Sequence, residues 1–170
     1  MEKMSRFLLL ILFSAVTLFL LYPVLHEAGH AITTWLLGGR VSGFSLTPLP
    51  HIESGLPYDA PGKIATVSIA GLIFPLLICV LVRHWRGYRG YCVLLTLIIT
   101  AIAGAVELCV AIQYQMGDIV SGDDIVLFLS SSGANPIYAY LITGIVSISS
   151  IMIAVSMKPL NIIEEIAGKR

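Results

Sequence analysis

Charge is what this chain has least of. Of its 170 residues only 12% are Asp, Glu, Lys or Arg, whereas an ordinary soluble domain carries about 25%. Apolar residues fill the gap at 57%, above the usual range of about 45–50%. A soluble globular enzyme is therefore disfavoured, no nucleic-acid partner is expected, and an integral membrane protein is the default class. Cysteine is also scarce. Cys79, Cys92 and Cys109 all lie in apolar runs without CxxC spacing, which reads as small apolar filler rather than a disulfide framework or a thiolate metal site. Internal repeats and low-complexity linkers are missing too. The simplest organisation is one integral-membrane domain over 1–170.

What the chain has in abundance is long apolar runs. Four approach or exceed the roughly 20 residues that a helix needs to cross hydrocarbon. They cover about 7–37, 64–82, 91–112 and 137–157. The first begins like a signal peptide, with Lys3 and Arg6 ahead of FLLLILFSAVTLFLLY. It then continues past Pro23 with no clear small-residue cleavage site, so a retained span is expected. A continuous helix of that length would be about 46 Å long, so it must tilt, kink near Pro23 or project from the bilayer.

The few charges are sorted. The amino terminus carries Lys3 and Arg6, and RHWRGYRG carries Arg83, Arg86 and Arg89 without an acid. The tail holds Lys158, Lys169 and Arg170 with Glu164 and Glu165. The loop after the third run, QYQMGDIVSGDDIV, has three aspartates and no base. Four spans put the basic segments on one side and the aspartates on the other, and the positive-inside rule makes the basic side cytoplasmic. A multi-pass protein of the cell membrane is expected, with the bilayer as its environment.

One apolar run carries chemistry. In LYPVLHEAGHAITTWLLGG, the residues His26, Glu27 and His30 form H-E-x-x-H. Helical residues four apart share a face, with Cβ atoms roughly 5–6 Å apart, so His26 and His30 can grip one zinc ion at about 2.0–2.1 Å. Glu27, one residue around, is placed to act as general base without being a ligand. Ala28 and Gly29 are small enough to let another backbone approach. Two core histidines with a hydrogen-bonded glutamate are the bland alternative. Three ionisable groups in one membrane helix are costly, however, and such groups mark function by default.

A catalytic zinc usually takes three protein ligands. His84, among arginines, reads as an interfacial cation, and His51, in a Gly/Pro-rich loop, as solvated. Glu107 is a candidate because a lone carboxylate in a span needs a reason. SGDDIVLFL offers Asp123 and Asp124 at a helix start, where capping is the competing role. Asp118 reads as a loop residue.

A membrane-embedded H-E-x-x-H with a later aspartate ahead of an apolar run resembles the site-2 protease family of intramembrane zinc metalloproteases. The resemblance spans about 21–129 and includes SIAGLIFPLL, where Ala70 and Gly71 look like the family's AG-containing core helix. It implies one zinc ion held by His26, His30 and an aspartate, with Glu27 as catalytic base. Asp124 is the preferred third ligand, through its G-x-D spacing from Gly122, and Asp123 the alternate. It also implies membrane-protein substrates cut in or near their transmembrane segments. The family's asparagine after the AG pair is missing here, with Phe74 and Pro75 in that neighbourhood.

The expected fold is an all-α polytopic membrane protein of about four transmembrane helices. A partly embedded loop or hairpin should follow the first, because Val41, Phe44, Leu46 and Leu49 alternate with small or polar residues between Pro48, Pro50 and Pro57. That segment could flank the site and pair with an unwound substrate strand. Two other functions use the same residues: a catalytically silent metal-binding scaffold, and a small metal-ion transporter lined by Glu107 and the aspartates. Four spans are few for transport, and no broken-helix pair recurs in the two halves. Oligomeric state has no signature in the sequence.

Overall fold

The computed structural model describes residues 2–45, 51–55, 61–118 and 123–169. Among them, four helices are long and apolar enough to cross a membrane: Met4–Leu36, Pro61–Val82, Gly87–Gln115 and Ile137–Ser156. The all-α polytopic architecture is therefore met. Large apolar side chains such as Phe7, Ile102, Ile145 and Met152 point outward, as lipid-facing positions should.

The first span joins α1 (Glu2–Val16) to α2 (Tyr22–Leu36) through a π-helical turn, Thr17–Leu21. The Tyr22 N–H donates five residues back to the Thr17 carbonyl. Pro23 explains the wide turn. It has no N–H to donate, and its ring crowds the carbonyl four residues earlier, so a local widening just ahead of it relieves both problems.

The helices α3 (Pro61–Val82), α4 (Gly87–Gln115), α5 (Asp124–Ser132), α6 (Ile137–Ser156) and α7 (Pro159–Ile166) complete the helical set. Close approach holds α4 to α6. A Cβ on Gly104 would collide with Ser147 Oγ and lie 3.1 Å from the Thr143 carbonyl oxygen. Small residues at such crossings are what lets helices associate in lipid, where burial supplies no drive.

Two buried clusters mark the two ends of the bundle. At one end, Val93 and Leu94 of α4 pack with Met157 and with Ile162 and Ile166 of α7. Arg6 Nη1 donates to the Ile166 carbonyl at 3.3 Å. The exposed Arg83, Arg86 and Arg89 belong to the turn and helix start beside this cluster, so the basic segments do gather at one end. At the other end, Ala65, Ala111 and Ala139 surround Ile125, Phe128 and Leu129 of α5.

Helix α5 corrects the expected element order. The aspartates do not open the fourth span; they open a separate helix of nine residues, about 14 Å long and too short to cross. Gly133 closes it at φ +59°, a left-handed conformation that suits glycine, and α6 starts afresh at Ile137.

After α2 comes the anticipated hairpin, β1 (Arg40–Ser45) antiparallel to β2 (His51–Gly55), with an irregularity between Val41 and Gly43. Its β2 strand meets α2 through the Ile52 N–H, which donates to Glu27 Oε2 at 3.0 Å. The stretches 46–50 and 56–60, which carry Leu46, Pro48, Leu49, Pro50 and Pro57, lie outside the described residues, as does Gly122. Lys63 Nζ donates to the Leu37 carbonyl at 2.9 Å. That places a cation on the carbonyl end of the first span and ties it to the start of α3.

Candidate metal centre

Helical periodicity brings His26 and His30 to one face of α2. Their rings meet nearly edge to face, at an interplanar angle of 79°, and their Nε2 atoms are 3.1 Å apart. Asp124, the first residue of α5, closes the group. Its Oδ2 is 3.0 Å from Nε2 of His26 and 3.0 Å from Nε2 of His30. Three potential ligand atoms therefore form a nearly equilateral triangle. Around an ion held at about 2.0–2.1 Å, one face of a tetrahedron has edges of roughly 3.3 Å, so only small movements separate the triangle from a zinc-like site.

The proton inventory points the same way. His30 Nδ1 is 2.8 Å from the Val67 carbonyl oxygen of α3. A carbonyl only accepts, so Nδ1 carries the hydrogen, and Nε2 of the neutral ring is left with a lone pair. That lone pair faces the Asp124 carboxylate. Neutral rings supply at most one hydrogen to the triangle, on His26 Nε2, and one hydrogen cannot serve all three contacts. A cation at the centre satisfies the three atoms together. The donor set fits a metal ion, and the Val67 carbonyl fixes the ring and tautomer of His30 as outer partners of metal-bound histidines do. Burial would raise the Asp124 carboxyl, but hydrogen bonding with His26 and His30 outweighs it and holds the group below the usual carboxylate range.

Space for this arrangement comes from glycine. A Cβ on Gly71 would collide with His30 Nε2 and lie 2.7 Å from Cε1 of His26. A Cβ on Gly29 would lie 2.5 Å from the Ala70 carbonyl oxygen and 2.8 Å from Phe74 Cβ. Helices α2 and α3 thus interlock through one glycine each, and the histidine rings lie over the bare backbone of α3. The close backbone approach expected at Gly29 is present, and its counterpart is the Ala70–Gly71 pair.

The two aspartates have different jobs. Asp123 is the N-cap of α5, and its Oδ1 accepts the Ile125 N–H at 3.0 Å. Asp124, one position on, turns to the histidines. Glu27 also approaches them: its carboxylate and the ring nitrogens of His26 and His30 lie within 4.8 Å of one another. The much shorter Asp124 contacts make Asp124 the third corner, and leave Glu27 beside the triangle with its Oε2 held by Ile52.

These groups line one cavity of about 700 Å³, which also takes in Asp123, Glu107 and, from β2, His51 and Ile52. Glu107 is drawn into the site but not into the triangle. His51 is exposed, as expected for a solvated residue, yet it borders the cavity. His84 is exposed in the turn between α3 and α4, at the basic end, and Asp118 is exposed beyond the end of α4. The Val67 carbonyl and the Ile52 N–H escaped the sequence reading because they are backbone groups. The only available signal was the Ala70–Gly71 pair, one helical turn after Val67.

A family model described as Peptidase M50B-like matches residues 5–113, more than half of the chain. No curated protein and no solved structure matches. The matched residues contain His26, Glu27, His30 and Gly71; Asp123 and Asp124 lie beyond them.

Proposed function

The chain belongs to the Peptidase M50B-like family, and from that premise we propose that it is a zinc-dependent endopeptidase cutting membrane proteins in or beside their transmembrane segments. The observation that carries this reading is the triangle of His26 Nε2, His30 Nε2 and Asp124 Oδ2, set in one cavity with Glu27. His26, His30 and Asp124 hold the ion. When bound there, zinc polarises the scissile carbonyl and makes water nucleophilic near neutral pH.

Glu27 takes the proton that the attacking water gives up as its oxygen joins the carbonyl carbon. It then passes that proton to the amide nitrogen as the carbon–nitrogen bond breaks, so one carboxylate serves as base and then acid. The Ile52 N–H, which donates to Glu27 Oε2, restricts the carboxylate to one orientation. The same bond has a second meaning. An N–H that points at Glu27 cannot point at β1, so the outer edge of β2 faces the cavity. A helical substrate has its carbonyls already hydrogen-bonded and must unwind first. Pairing of the unwound stretch with that edge supplies lost backbone bonds. With the basic end cytoplasmic, the site opens toward the outer side.

The test is zinc content after purification in detergent. One zinc per chain in the wild type, lost in His26→Ala and His30→Ala, agrees with the proposal; a wild type that takes up no zinc overturns it.

A further inference from the structure

Glu107 is a carboxyl within a membrane span that the proposed hydrolysis does not use. A carboxylate in hydrocarbon is expensive, and an apolar residue on α4 would cost less unless the group holds something. What it faces is specific. Its carboxyl lies in hydrogen-bond range of the Asp123 side chain and of the Ile125 backbone N–H. Those are the two residues that flank Asp124. The Ile125 N–H also donates to Asp123 Oδ1, so the first turn of α5 is gripped from its own cap and from α4.

We propose that Glu107 is a positioning residue for Asp124: by holding Asp123 and Ile125 it fixes the start of α5, so that the carboxylate between them meets His26 and His30. This inference rests on the zinc-site reading above. The need for such a grip follows from the length of α5. Its apolar side packs through Ile125, Val126, Phe128 and Leu129, and apolar contacts resist sideways displacement better than a small rotation or slide along the axis. A nine-residue helix that turned slightly would carry Asp124 away from a triangle only 3.0–3.1 Å on a side. Outer groups that orient ligands typically govern metal affinity by about 10–100-fold.

The experiment measures zinc affinity by chelator competition on the full-length protein in detergent, with the visible spectrum of the cobalt-substituted protein as a second readout. Glu107→Gln keeps the length, an acceptor for the Ile125 N–H and a donor for Asp123, so it should bind zinc within a few-fold of wild type with an unchanged cobalt spectrum. Glu107→Ala loses both bonds and should bind about 10–100-fold more weakly, with a shifted spectrum. Should the alanine variant not purify, Glu107→Asn takes its place, since its amide is one methylene too short to reach. Wild-type affinity and spectrum in Glu107→Ala or Glu107→Asn overturns the inference, as does a glutamine variant that binds zinc far more weakly than wild type. A wild type that binds no zinc would instead remove the reading beneath it.

Discussion

Gly71 of α3 lies so close beneath His30 of α2 that a single methyl group there would strike the ring at Nε2. The histidine rings and the α3 backbone occupy adjoining space with nothing between them. Gly71→Ala should therefore displace both rings and weaken zinc binding, while the rest of α3 remains helical. Measured zinc affinity should fall at least tenfold with helical circular dichroism retained, in line with the losses caused by displaced ligands. Unchanged affinity would mean that the rings sit elsewhere.

Gly29→Ala tests the reciprocal contact. Its Cβ would press on backbone, the Ala70 carbonyl oxygen at 2.5 Å, rather than on a side chain that can rotate. Overpacking of this kind costs typically about 1–3 kcal/mol. The thermal midpoint in detergent should drop, and the separation of α2 from α3 should weaken zinc binding as well.

These two positions show what was readable in the sequence. H-E-x-x-H was legible because a helix repeats every 3.6 residues, which leaves no doubt that His26 and His30 share a face. Small residues at Gly29 and at Ala70–Gly71 signalled close approach, since only a second backbone needs that room. The third corner was harder. Asp123 and Asp124 are consecutive, about 100° apart on a helix, and which one faces the histidines depends on where α5 begins. The capping bond from Ile125 to Asp123 fixes that start, and apolar patterning contains no record of it. The same patterning merged α5 with the fourth span, because the break at Gly133 depends on backbone conformation. The π turn before Pro23 was legible only as a disturbance of some kind.

Asp124→Ala and Asp123→Ala should separate cleanly. The first removes a corner of the triangle and should abolish stoichiometric zinc. The second removes an N-cap worth about 0.5–2 kcal/mol and should lower stability while much of the zinc remains. Metal analysis and thermal unfolding on the same preparations check both halves. Full zinc in Asp124→Ala would assign the third ligand elsewhere.

Ile52→Pro addresses the hairpin. The Ile52 N–H is spent on Glu27 rather than on β1, and proline is tolerated on the free edge of a strand. Hydrogen bonds to charged groups contribute about 1.5–3 kcal/mol, so kcat should fall on the order of tenfold or more with zinc retained. Ile52→Ala, which keeps the N–H, should fall much less. Equal rates for the two variants would show that this bond does not orient Glu27.

The central claim is that a metal site and a glutamate together hydrolyse a peptide bond in the membrane. The most direct measurement is cleavage of a reconstituted single-span substrate by wild type and Glu27→Gln at matched zinc occupancy. Loss of a general base costs about 10²–10⁴-fold, so Glu27→Gln should retain its zinc and lose cleavage by that factor. Cleavage by Glu27→Gln at the wild-type rate would contradict the account.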